Sequence, residues 1–178
     1  MVCQAASGCV QFPTMPTLEL PHTLGCLVCS RDNVHGLHLS LFVDPDASIV
    51  TTDFTPQPAN IGFQGIVHGG VIATVMDEAM VWAATWVGRR FCLCGELTTR
   101  FRRPAEIGRR AIVEAKVEFR NPRLIQTAAT LRDESNQLLA TASGKYVPVS
   151  LDQHVAFLAT LVDEPATTTA ANLLRTAR

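Results

Sequence analysis

Apolar and polar positions between residues 37 and 149 follow two distinct periods. In LHLSLFVD (37–44), Leu37, Leu39, Leu41 and Val43 fall on one side, the period of two expected of a half-buried strand. SIVTTDF (48–54) follows the turn-forming DPDA and predicts its hairpin partner. From Val71 to about Val87 the period changes. Ile72, Val75, Met76, Ala79, Met80 and Ala83 recur at three and four, which lines one face of a helix, and Gly88 with Arg89 and Arg90 supplies its C-terminal signal. Four more strands are predicted over 92–101, 110–119, 124–133 and 137–149, separated by the turns PAEIG, RNPR and DESN. In the second of these, Ala111, Val113, Ala115, Val117 and Phe119 oppose Ile112, Glu114, Lys116, Glu118 and Arg120.

Two strands, one long helix and four strands predict an α+β fold in which a mainly antiparallel sheet buries a single helix. The free face or edge of such a sheet is open to a second subunit. Residues 1–24 and the tail PATTTAANLLRTAR lack a clear period and are expected to be flexible arms flanking a domain at 25–150, with 151–178 partly flexible.

Composition narrows the partners. Fifteen Lys and Arg against sixteen Asp and Glu give a net charge of -1, without the global basic charge that attracts nucleic acid or an anionic membrane. The N-terminal stretch lacks a basic start and a continuous apolar run, and no membrane span is expected, so the chain reads as cytoplasmic. Its six cysteines then read as thiols. Cys26 and Cys29 with His35 and His38 spell C-x2-C-x5-H-x2-H, shorter than common zinc modules, and His38 falls within a strand pattern. Neither a metal nor a redox cofactor is expected.

Two stretches carry candidate chemistry, GIVHGGVIATVMDEAM (65–80) and ELTTRFRRPAEIG (96–108). With HGG, a carboxylate nine positions after the His, and aromatic-x-x-Pro closing a later strand, the chain over about 25–149 resembles the hotdog-fold acyl-CoA thioesterases, in particular the phenylacetic-acid-degradation branch. The resemblance implies a hotdog fold, hydrolysis of an acyl-CoA thioester to an acid and free CoA, and a homodimer or homotetramer with active sites at a shared interface. Alternatives are a non-catalytic acyl-CoA sensor and a hotdog enoyl-CoA hydratase or dehydratase. The latter uses an Asp/His pair at a spacing this helix lacks.

The residues support compatible roles. Glycines at a helix start let a ligand approach unpaired N–H groups, so Gly69 is the expected oxyanion donor, with Gly70 beside it. Asp77 would deprotonate a water or attack the carbonyl itself. Its neighbours Ala73, Thr74, Met80 and Val81 do not make a solvated face. Glu78, about 100° around the helix, reads as a surface or interface residue and the alternative base. His68 is expected to cap the helix, and the resemblance implies a mainly structural role near the acyl carbonyl. By alignment with the resembled family, Cys94 stands where relatives often carry Ser or Thr, and Gly62 where several carry Asn, leaving Asn60 and Gln64 as accessory polar groups. Arg102, Arg103, Arg120 and Arg123, the last two around the turn at Asn121, are candidates for CoA phosphates. Met80, Trp82, Trp86 and Phe63 are expected to set pocket depth.

Eight residues separate Gly69 from Asp77, roughly 12 Å along one helix at about 1.5 Å per residue. One carbonyl cannot meet both within one chain, so a shared site in a two-fold dimer is expected.

Overall fold

The computed structural model describes residues 17–162 and 164–176. Nine strands are present among them: β1 (Leu18–Glu19), β2 (Leu41–Asp44), β3 (Ile49–Phe54), β4 (Ile61–Phe63), β5 (Ile66–Val67), β6 (Cys92–Phe101), β7 (Ala111–Asn121), β8 (Leu124–Asp133) and β9 (Leu138–Pro148). The helices are α1 (Gly69–Gly88), α2 (Leu151–Leu158) and α3 (Thr168–Arg175). Seven strands form one antiparallel sheet in the order β1-β2-β3-β7-β8-β9-β6, while β4 and β5 pair separately just ahead of α1.

Helix α1 packs on the sheet against β3, β6, β7, β8 and β9. All six residues of its predicted apolar face are buried, and so are Trp82, Ala84, Thr85 and Trp86. A helix apolar around most of its circumference must be covered on several sides, and the wrapping sheet covers it. This is the hotdog arrangement. Among the described residues, α1 alone is long and apolar enough to cross a membrane, and 56% of that stretch is buried in the fold.

Several details depart from the sequence pattern. The first long strand starts only at Leu41, because His38 adopts φ 53° and its ring Nδ1 meets Ser30 O at 2.9 Å. At the end of α1, Arg89 and not Gly88 takes the left-handed conformation, with its guanidinium 4.5 Å above the Trp86 ring. A register shift between Val117 and Phe119 breaks the alternation of β7 and leaves Phe119 exposed.

The chain around both ends of the domain is also more ordered than its composition suggests. Residues 1–16 lie outside the described residues. From Leu18 onward the expected N-terminal arm is part of the fold: β1 pairs with β2, and Leu20 and His22 are buried. Leu24 N–H donates to Thr160 O at 2.9 Å and Val162 N–H to His22 O at 3.0 Å. Arg31 bridges Glu19 at 3.1 Å and Glu164 at 3.2 Å. In the C-terminal tail, Ala170, Ala171 and Leu174 of α3 are buried. These segments are too short to show a period, and their order comes from one another.

Candidate active site

The start of α1 is built by His68. Its backbone is extended, and its ring Nδ1 accepts the N–H of Gly70 at 3.0 Å, an N-cap made by a side chain. His68 O accepts Val71 N–H at 3.0 Å and Ile72 N–H at 3.3 Å. The two glycines are thereby distinguished. Gly70 N–H is occupied, whereas Gly69 N–H has no acceptor among the described residues. Gly69 sits at the positive end of the helix, where a Cβ would stand 3.2 Å from Cζ of Phe101, the residue that closes β6.

The strand β4 passes so close to this turn that a Cβ on Gly62 would lie 2.8 Å from His68 Cα. Asparagine at that position would collide with the turn. Asn60, expected to act as an accessory polar group, is used locally: its Oδ1 accepts Gln57 N–H at 2.7 Å and its carbonyl accepts His68 N–H at 2.9 Å. Gln64 is exposed at the β4–β5 turn.

In the middle of α1, Asp77 is half-buried and its Oδ1 accepts a hydrogen bond from Tyr146 Oη at 2.7 Å. Tyr146 is the only tyrosine in the chain and is fully buried. Burial, then the adjacent Asp77, raises its pKa, so the phenol remains protonated and donates. Space for its ring comes from Gly144, where a Cβ would stand 2.5 Å from Tyr146 Cε2. Cys94 is the cross-strand partner of Tyr146 and adjoins Asp77. Burial, followed by the Asp77 carboxylate, pushes its thiol up to about 11, which makes it a neutral lining group.

Asp77, Tyr146 and Cys94 therefore form one group, and His68, Gly69 and Phe101 another at the helix start. Tyr146 is the member that the sequence pattern did not single out. Its inward position on β9 and its uniqueness in the chain were the available signals.

Glu78, expected at the surface or an interface, is half-buried within the chain. It faces a different wall from Asp77, into a cavity of about 420 Å³ lined by Cys26, Trp82, Phe91 and Phe157. Its Oε1 accepts Trp82 Nε1–H at 3.0 Å, and burial, then the Cys26 sulfur, pushes its carboxyl up to about 7. The Cys29 thiol and the N–H groups of Cys29 and Val28 in turn hold the Cys26 thiol below its ordinary range. Of the residues expected to set pocket depth, Met80 and Trp86 are fully buried, Trp82 lines this cavity, and Phe63 is exposed.

The expected phosphate contacts divide. Arg120 Nη1–H donates to Val87 O at 2.6 Å and so closes the C-terminus of α1. Asn121 Oδ1 accepts the N–H groups of Arg123 at 2.8 Å and Leu124 at 2.9 Å, the bonds of a turn. Arg103 Nη1–H reaches Leu138 O at 3.2 Å, and exposed Arg102 follows Phe101 at the end of β6.

The sequence profile of the thioesterase superfamily matches residues 64–140, which include the whole of α1, Tyr-facing Asp77 and the strands β6 to β8. Over those residues the chain is similar to the thioesterase superfamily. It is 31% identical over 111 residues to acyl-coenzyme A thioesterase THEM4 of Xenopus laevis, a match covering 60% of this chain and 47% of that protein. The chain thus spans about half the length of that curated relative. A crystal structure described as a thioesterase superfamily protein superposes with a TM-score of 0.64 at 26% identity, covering 69% of this chain and 60% of the other. A phenylacetic acid degradation-related protein of Ralstonia eutropha shares the fold at 24% identity, with a TM-score of 0.57 and coverage of 62% and 85%.

Proposed function

We propose that this chain is a member of the thioesterase superfamily that hydrolyses acyl-CoA thioesters, with Asp77 as the catalytic carboxylate and Gly69 N–H as the oxyanion donor. The observation that carries this reading is the pairing of a carboxylate fixed by Tyr146 with an N–H left free beside an occupied one. Tyr146 holds Oδ1, leaving Oδ2 to act. Asp77 takes a proton from water as its oxygen attacks the thioester carbon, or attacks that carbon itself. In either route the C–S bond breaks, the CoA sulfur takes a proton, and water supplies the oxygen of the released acid. Gly69 N–H and the helix dipole stabilise the oxyanion between addition and cleavage. Arg102 and Arg103 are suited to CoA phosphates.

Gly69 and Asp77 are separated by the helix rise, so the reading requires two copies of the chain, each giving one group to each site. Strand β6 is an edge of the sheet, and its Leu93, opposite Val147, forms an exposed apolar strip beside it. Both features suit edge-to-edge association. Chromatographic detection of free CoA from a panel of short, long and aromatic acyl-CoAs tests the activity. Turnover by the wild type and its loss in Asp77→Asn are expected. Tight binding without turnover would favour the sensor reading instead, and a fully active Asp77→Asn would remove Asp77 from the mechanism.

A further inference from the structure

The second acidic residue of α1 has partners of its own. Cys26 Sγ lies 3.8 Å from Glu78 Oε1, and one ligand atom from each of Cys26, Cys29 and Glu78 lies within 4.8 Å of the others. Around a tetrahedral zinc ion, with Zn–S of about 2.3 Å and Zn–O of about 2.0 Å, ligand atoms stand roughly 3.5–3.8 Å apart. Small side-chain rotations bring the three into that range.

The surroundings are those of ligands already oriented. Cys26 Sγ accepts backbone N–H groups from Val28 at 3.3 Å and Cys29 at 3.4 Å, bonds that favour a thiolate. Trp82 Nε1–H fixes Glu78 Oε1 from the far side, as an outer partner fixes a metal-bound carboxylate. Two sulfurs and one carboxylate suit zinc, whereas magnesium and calcium take oxygen ligands. The cavity at Glu78 leaves room for a fourth ligand. Neither His35 nor His38 belongs to this group, so the set is not the one spelled by the linear spacing.

We infer that Cys26, Cys29 and Glu78 form a binding site for a zinc-class divalent cation, which ties the 26–29 loop to the middle of the central helix. The site lies on a different face of α1 from the Asp77–Tyr146 pair and stands independently of the proposed hydrolysis.

The full chain, reduced with a phosphine and stripped with a chelator, is titrated with zinc against a chromophoric chelator, and with cobalt to read thiolate-to-cobalt charge-transfer absorption. One ion per chain with thiolate absorption is expected. Cys26→Ser, Cys29→Ser and Glu78→Gln should each weaken binding at least about tenfold, and Trp82→Phe roughly tenfold with all three ligands retained. The Cys3→Ser/Cys9→Ser double variant and Cys92→Ser should bind as the wild type does. Should a ligand variant fail to fold, zinc X-ray absorption on the wild-type protein decides, with two sulfur neighbours expected. Loss of all zinc to the chelator, unchanged affinity in Glu78→Gln, or a Cys26–Cys29 disulfide by mass in a protein that takes up no metal would overturn the site.

Discussion

Asp77 and Glu78 are adjacent in sequence, yet one accepts from Tyr146 and the other from Trp82. A rotation of about 100° per residue puts them against different walls of the fold. Removing a hydrogen bond to a charged group costs about 1.5–3 kcal/mol. Tyr146→Phe should therefore lower kcat roughly 10- to 100-fold with KM nearly unchanged, because the acyl-CoA contacts remain while the carboxylate loses its orientation. Steady-state kinetics on free CoA release checks this. Cys94, with its thiol pushed up to about 11, is neutral near neutral pH, and Cys94→Ala should keep most of the turnover. A Cys94→Ala enzyme as inactive as Asp77→Asn would make the thiol a participant.

At the scale of elements, β9 and α2 each depend on a single fit. Gly144 leaves the space that the Tyr146 ring fills, so Gly144→Ala is overpacked. Overpacking of this kind costs about 1–3 kcal/mol, measurable as a lower denaturant midpoint, with turnover falling as Tyr146 is displaced. Helix α2 docks through His154, whose Nδ1 accepts Phe91 N–H at 3.2 Å and whose ring is buried. Burial, then the nearby Arg90, lowers the His154 pKa below its ordinary 6.5. The folded state therefore favours the neutral ring. Its contribution is complete above the unfolded pKa and is lost as pH falls below about 6.5 toward the folded value. Melting temperatures followed from about pH 7.5 to about pH 5 should fall more steeply for the wild type than for His154→Asn. Equal slopes would show that another group controls the acid limb.

At the scale of the whole molecule, the proposed mechanism divides the reaction between two copies of the chain. Gly69 is the first residue of α1 and follows an extended His68, a place where proline fits a helix and removes only the N–H. Its ring would press on Phe101 Cζ, 3.2 Å from a Cβ at this position, and Phe101 is exposed enough to move. Gly69→Pro and Asp77→Asn should each be inactive alone. Mixed and allowed to exchange subunits, they should recover about a quarter of wild-type activity, since half the dimers are hybrids with one intact site of two. No recovery, with hybrid dimers shown by native mass spectrometry, would place both groups of each site in one chain.

How much of this was legible in sequence follows from the range of the forces involved. Periodicity located α1, its buried face and the four long strands, because apolar burial repeats at the pitch of the element itself. The HGG motif and Asp77 were legible as a contiguous motif that carries a family resemblance, lying within one helix and the turn before it. The contacts that the sequence could not provide join distant segments. Tyr146 reaches Asp77 across 69 positions and Cys26 reaches Glu78 across 52. Such pairings have no period and depend on which sheet face each strand turns inward. The bonds that Arg120 and Asn121 make likewise depend on where β7 ends against α1 and turns into β8. The sequence by itself determined the elements, the helix that carries the carboxylates and the free N–H at its start. Only tertiary structure decided which carboxylate meets which partner, because a one-residue step around a helix is a change of wall.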